Sequence, residues 1–144
     1  MIVTINYIFI PNGDFYCASP SVVPRCDKSS ILEYRIMQGD QGVLDRLNKL
    51  LTGELSAADQ YLSHARTMED MGLKALSERI SHERVEELEH ADKLIRRILF
   101  LEGTPDVASR DPIHIGKTVP EMMRNDLTLE YEVVAALKEA IAYC

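Results

Sequence analysis

The rest of this chain is organised around residues 73–102, LKALSERISHERVEELEHADKLIRRILFLE. The stretch contains neither Gly nor Pro, and Gly103 follows it as a stop signal, a pattern typical of a long helix. Residues spaced three or four apart form one stripe along it: Leu76, Ile80, Glu83, Glu87, His90, Leu94, Ile98 and Leu101. The stripe is apolar at both ends, but carboxylates and an imidazole occupy its middle. Glu87-x-x-His90 therefore places two metal-binding groups one turn apart where a core is expected.

Two further helices are predicted, one on each side of this stretch. The first covers residues 40–71, with Asp40 as its N-cap and Glu54 interrupting its apolar stripe. The other covers residues 119–144 and begins at the capping box Thr118-x-x-Glu121. Residues 103–117 contain two prolines and two glycines, which indicates a long connection that crosses a bundle from end to end. The stripe predicted for the last helix consists of Met123, Leu127, Glu130, Val134, Leu137 and Ile141.

The pattern predicts an all-α fold with a single domain at residues 37–144. Residues 2–10 form an apolar, β-branched run that could be a small edge strand. A signal peptide is disfavoured because no Lys or Arg precedes Arg25. We favour translation from Met37, which makes residues 1–36 an N-terminal extension that does not belong to the domain.

Composition excludes several classes of function. The formal net charge of −7 and the pI near 5.1 argue against a nucleic-acid partner. No apolar run approaches the roughly 20 residues of a membrane span, so no membrane partner is expected. The 3 cysteines are too scattered for a disulfide framework, which fits the reducing cytoplasm.

Each predicted helix carries a glutamate at comparable depth in its apolar stripe. One such glutamate is more often a paired structural acid, but three of them with a Glu-x-x-His suggest a metal site. Carboxylates with imidazole suit iron or manganese better than structural zinc. Four-helix di-iron proteins use one Glu from each of two helices and a Glu-x-x-His from each of the others. Glu54, Glu130 and the Glu87-x-x-His90 pair match three of these four contributions, whereas Asp111-x-x-His114 lies in the connection.

Residues 37–144 resemble the N-terminal two-thirds of bacterioferritin, the bacterial iron-storage ferritin. The segments that carry the resemblance are MQGD (37–40), LNKLLTGELSAADQYLSHAR (47–66), EELEHADKLIRRILFLEGTPD (86–106) and IGKTVPEMMRNDLTLE (115–130). The resemblance implies a ferritin-like four-helix-bundle fold, of which about three helices are present. It also implies a ferroxidase that oxidises Fe(II) with O2 at a di-iron carboxylate centre and stores ferric mineral in a cage of twenty-four copies.

The resemblance also assigns roles to individual residues. The ferroxidase ligands would be Glu54, Glu87, His90 and Glu130, with Glu87 bridging the metals. Tyr61 matches a tyrosine beside the centre, where it orients a ligand or supplies an electron, or is simply a core tyrosine. His82 and Glu86 match an iron position on the cavity wall, although a solvated helix face explains them equally well. The remaining histidines, His64 and His114, are interpreted as ordinary surface residues.

The sequence departs from the family pattern in two ways. Leu88 stands where the methionine ligand of the bridging haem is expected, so haem is not expected as a cofactor. The chain also stops before a fourth helix and its second Glu-x-x-His. This leaves two assemblies open, a homo-oligomer and a mixed oligomer with a full-length bacterioferritin subunit. In the second, this chain would be a non-catalytic helical subunit. A rubrerythrin-like peroxidase is disfavoured because no Cys-x-x-Cys module is present.

Overall fold

Three long helices make up the described part of the chain. The computed structural model describes residues 39–143. Helix α1 spans Gln41–Asp70, α2 spans Lys74–Phe100 and α3 spans Val119–Tyr143. The predicted all-α class is confirmed, and the predicted bounds agree with the observed ones to within two residues. The prediction for residues 1–36 lies outside the described residues.

Local capping groups mark the starts of α1 and α3 and the end of α2. The Asp40 carboxylate accepts a hydrogen bond from the Val43 amide at 3.2 Å, as predicted for an N-cap. At α3, the Thr118 amide donates to Glu121 at 3.2 Å and the Glu121 amide donates to the Thr118 hydroxyl at 3.4 Å. These two contacts are the predicted capping box. At the end of α2, the Gly103 amide donates to the Ile98 carbonyl at 2.9 Å. A side chain does not fit at this position, because a Cβ would lie 2.5 Å from Leu44 Cδ2.

The core lies mainly between α1 and α2, which form an antiparallel pair joined by a tight turn at Gly72. The buried cluster at one end of the pair consists of Leu44, Leu50, Leu51, Ala91, Leu94 and Ile98. A second cluster at the other end consists of Ala57, Tyr61, Ala65, Met68, Ile80 and Met122. The apolar ends of the predicted α2 stripe therefore pack as predicted, and the polar middle of the stripe lies between the two clusters.

The connection between α2 and α3 runs alongside α1 and is held by side chains of that helix. From the N-terminal towards the C-terminal end of α1, the hydrogen bonds join Asn48 to Thr104 and Asp106, Ser56 to Asp111, Gln60 to His114 and His64 to Gly116. The order of the contacts shows that the connection follows α1 in parallel and crosses the bundle from end to end, as predicted. It delivers α3 to the α1 face that carries Tyr61.

The first half of helix α3 presents a different face to the core from the predicted one. Met122 and Asp126 are buried there, whereas Met123 and Leu127 of the predicted stripe are exposed. Farther along, Val134 and Leu137 of that stripe are half-buried, and Leu137 packs against the core as predicted. The physical reason is that the backbone of α3 lies close to that of α1, so the first half of α3 buries the side that faces α1. Within residues 39–143, no Cα atom of α2 lies within 8 Å of one in α3. The backbones of α2 and α3 therefore lie farther apart than those of α1 and α3.

None of the three helices is both long enough and apolar enough to cross a membrane, over the part of the chain that the structure describes.

Candidate metal centre

Three side chains from α1 and α2 meet between the two apolar clusters. Glu54 comes from the middle of α1, and Glu87 and His90 come from successive turns of α2. Each offers one ligand atom, and these atoms all lie within 4.8 Å of one another. His90 Nδ1 is 3.0 Å from a Glu87 oxygen and 3.6 Å from Glu54 Oε2. Two carboxylates and an imidazole at these distances form a three-ligand cluster for a divalent cation.

Burying this cluster without a bound cation has a free-energy cost. Glu54 is only 3 % exposed, and its Oε2 atom is buried without a hydrogen-bond partner. The 3.6 Å separation from His90 is an ion-pair distance and too long for a hydrogen bond. A buried polar atom without a partner costs about 1–3 kcal/mol. The unpartnered oxygen is therefore the observation that fits a metal ligand, and the oxygen and nitrogen donors suit iron or manganese.

The cluster holds protons where a cation would bind. The carboxylates of Glu54 and Glu87 raise the pKa of His90 to about 10. Burial raises the pKa of Glu87 to about 7, opposed by the hydrogen bond from His90. The raised pKa favours a proton on the His90 imidazole, which lies between two acids. A proton on the imidazole thus partly balances the negative charge that would otherwise attract a divalent ion.

Glu83, the other carboxylate of the α2 stripe, is not part of the cluster. It forms an ion pair with Arg79, one turn earlier on the same helix. Because this pair already supplies an opposite charge, Glu83 has a structural explanation that Glu54 lacks.

Glu130 approaches from α3 and pairs with Tyr61 of α1. The Tyr61 hydroxyl donates a short hydrogen bond to Glu130 Oε1. Burial and this carboxylate raise the pKa of Tyr61 above its usual range, so the phenol stays protonated. Burial also raises the pKa of Glu130, and the charge of Glu87 adds to that increase. Glu130 thus lies near the cluster, although it is not one of the three residues whose ligand atoms converge within 4.8 Å.

His82 and Glu86 lie on the surface of α2. Their closest nitrogen and oxygen atoms are 3.5 Å apart, and their side chains are 60 % and 36 % exposed. They belong to no group of three metal-binding side chains in the described residues. Their geometry is that of a solvated pair four residues apart on one helix.

The prediction that His64 is a surface histidine is wrong. Its side chain is completely buried, and both ring nitrogens are engaged: Nδ1 lies 2.8 Å from Asp126 Oδ1, and Nε2 accepts from the Gly116 amide at 3.1 Å. Gln60 also donates to Asp126 Oδ1, at 2.9 Å. The prediction that His114 is at the surface is confirmed.

The sequence contains a signal for this polar group in the spacing of polar residues along α1. Ser56, Gln60 and His64 recur every four residues along α1, which places three polar side chains on one face. Asp126 precedes Glu130 by four residues on α3 and so shares its face. Periodicity places each set on its own helix, but it cannot reveal that the two faces meet.

Comparisons with known proteins agree with this architecture. The model of the ferritin-like domain family matches residues 44–144. The "Bacterial ferritin" of Paramagnetospirillum magnetotacticum is 61 % identical over 108 residues, which cover 75 % of this chain and 66 % of that protein. The "Bacterial ferritin" of Synechocystis sp. is 57 % identical over 75 % of this chain and 69 % of its own length. The "Bacterioferritin" of Rhodobacter capsulatus is 43 % identical, with 75 % and 67 % covered. The chain thus spans about two thirds of the length of these relatives.

Proposed function

The chain belongs to the ferritin-like domain family, and from that premise we propose that it is an iron-storage subunit that binds and oxidises Fe(II). The observation that carries the proposal is the buried Glu54–Glu87–His90 cluster with its unpartnered Glu54 oxygen. Fe(II) is the substrate, and O2 is the oxidant. Two Fe(II) ions reduce one O2, with two protons, to hydrogen peroxide; four reduce it, with four protons, to two waters.

The protein's own side chains have distinct tasks in this reaction. Glu54 and Glu87 neutralise the cation, and His90 gives up its proton so that its nitrogen can bind. Tyr61 keeps Glu130 in place by donating to one of its oxygens, which leaves the other oxygen as a further ligand. Tyr61 is also the nearest oxidisable side chain to that carboxylate, so it could supply an electron. His82 and Glu86 would give departing iron a weak surface position, because their pair is exposed.

Metal binding can be measured first with Co(II), whose visible absorption reports its coordination and which O2 does not oxidise in such sites. We expect one Co(II) per chain, since the described residues contain one three-ligand cluster. Glu54→Gln should weaken binding strongly, whereas Glu132→Gln, an exposed acid on α3, should not change it. Equal Co(II) affinity in the native chain and Glu54→Gln would refute the proposed site.

Oxidation is then followed by adding O2 to the anaerobic Fe(II)-loaded chain and recording the near-ultraviolet absorbance of ferric iron. We expect slow oxidation, because a second Glu-x-x-His is not among the described helices and a two-iron centre needs both pairs. Supplying in trans a helix that carries this motif should accelerate the reaction. Fast oxidation by the bare chain, with two irons consumed per O2, would contradict the assignment of an incomplete centre.

A second candidate function is that of a non-catalytic subunit in a mixed assembly. The observation in its favour is the set of large apolar side chains left exposed on α3: Met123, Leu127, Tyr131 and Ile141. Exposed apolar surface of this kind marks contact sites. Light scattering on a size-exclusion column separates the two functions. A cage of hundreds of kilodaltons that oxidises Fe(II) supports storage by a homo-oligomer. A small oligomer without turnover, which enters cages only with a complete bacterioferritin subunit, supports the second function.

A further inference from the structure

Asp126 is a buried acid that the proposed iron chemistry does not use. It is 5 % exposed, it lies on α3 one turn before Glu130, and its Oδ2 atom is buried without a hydrogen-bond partner. A carboxylate held in such a place needs an explanation, because burying it is costly unless its oxygens are bound.

The contacts of Asp126 tie three segments of the chain together. Its Oδ1 atom accepts from Gln60 Nε2 at 2.9 Å and from His64 Nδ1 at 2.8 Å, both on α1. The far sides of these two residues hold the connection: Gln60 Oε1 accepts from the His114 amide at 2.8 Å, and His64 Nε2 accepts from the Gly116 amide at 3.1 Å. Because Nε2 accepts from an amide, the proton of the imidazole lies on Nδ1 and points at Asp126.

These bonds restrain the two motions that would displace Glu130. A rotation of α3 about its axis, or a slide along α1, would carry Asp126 Oδ1 away from two donors at once. Apart from Asp126 and the Tyr61–Glu130 hydrogen bond whose placement is in question, the described contacts of α3 with this part of α1 come from Met122 and a few half-buried apolar side chains, which tolerate rotation more easily than directed hydrogen bonds do. Glu130 follows Asp126 by one helical turn, so it moves with Asp126 as part of one rigid helix.

We propose that Asp126 is a positioning residue that, through Gln60 and His64, sets the rotation and height of α3 and so holds Glu130 against Tyr61. The same placement brings Glu130 towards the Glu54–Glu87–His90 cluster. The consequence for metal affinity rests on the proposed function, whereas the placement of Glu130 against Tyr61 does not.

The first experiment needs no metal. The carbon-13 chemical shift of the Tyr61 Cζ atom reports the hydrogen bond of its hydroxyl, and its signal is identified by its loss in Tyr61→Phe. Asp126→Ala should move this signal, because Glu130 drifts from Tyr61. Asp126→Asn keeps an oxygen acceptor at the same point and should leave the signal close to its native position. Glu132→Gln, which removes an exposed charge from the same helix, is the matched control. Should Asp126→Ala fail to fold, Gln60→Ala removes one of the two donors and is expected to move the signal in the same direction.

The second experiment measures Co(II) affinity. Changes in groups that orient metal ligands typically weaken binding about 10- to 100-fold, and this is the loss we expect in Asp126→Ala. Asp126→Asn should recover most of it. In a Glu130→Ala background the effect of Asp126→Ala should disappear, since Asp126 acts through Glu130.

The outcomes separate the two claims. A native chain that binds no Co(II) refutes the proposed function, yet the Tyr61 signal still decides the positioning claim. An unmoved Tyr61 signal in folded Asp126→Ala, or a loss of Co(II) affinity that persists in full without Glu130, overturns the positioning role and leaves Asp126 as a residue of general stability.

Discussion

Gly116→Ala is the substitution that most directly tests how the connection determines the placement of α3. A Cβ at Gly116 would lie 2.5 Å from the Met122 amide nitrogen and 2.9 Å from both Glu121 C and Met122 Cα. All three atoms belong to the backbone of the first turn of α3, so relief requires movement of the helix or of the connection rather than rotation of a side chain. Overpacking of this kind costs about 1–3 kcal/mol.

The same change also affects a hydrogen bond. Movement of residue 116 stretches the 3.1 Å contact from its amide to His64 Nε2, and a typical hydrogen bond contributes about 0.5–1.5 kcal/mol. The two effects together predict a loss of about 1.5–4.5 kcal/mol in the free energy of unfolding. Since about 1 kcal/mol shifts the Tm of a domain of roughly 100 residues by 4–8 °C, the melting temperature should fall by at least about 6 °C.

Gly53→Ala is the matched control, because a Cβ at Gly53 meets nothing within 4 Å. Gly53 lies inside α1, where Ala is favoured over Gly by about 0.5–1 kcal/mol, so this variant should be more stable than the native chain. Urea unfolding followed by circular dichroism, without metal, measures both variants. Equal stability of Gly116→Ala and the native chain would refute the claim that the backbone contact at Gly116 holds α3 in place.

Three further outcomes are expected. The pKa of His90 is raised to about 10 and that of Glu87 to about 7, so a metal ion must displace protons to bind, and Co(II) affinity should rise about tenfold per pH unit from about pH 7 to 9. Calorimetry in buffers of different ionisation enthalpy counts the protons released on binding. Binding without proton release would contradict the prediction. Tyr61→Phe leaves Glu130 without its donor and should lower the free energy of unfolding by about 1–3 kcal/mol, as measured by urea denaturation; an unchanged midpoint would argue against the hydrogen bond. Leu88→Met is a swap of similar volume on the exposed face of α2. A dimer of this variant should bind haem through two methionine sulfurs and show a bis-thioether spectrum. Haem binding by the native chain would contradict the alignment of this face.

Features that depend on residues near one another in the chain could be predicted from the amino-acid sequence alone. The N-cap at Asp40, the capping box at Thr118 and the bounds of the helices follow from contacts across three or four residues. The apolar stripes of α1 and α2 could also be predicted from the sequence, because each of these helices buries one continuous apolar face against the other. Glu54 and Glu87 interrupt those faces, and the structure buries both.

The rotation of α3 and the contacts of its polar side chains depend on how the helices pack together. Hydropathy favoured the face with Met123 and Leu127, but packing against α1 buries the neighbouring face with Met122 and Asp126. An apolar pattern shows which side chains would gain from burial, and it does not show which side a partner covers. His64 meets Asp126 across 62 residues of sequence, and such a pairing depends on the path of the connection, which no local pattern encodes.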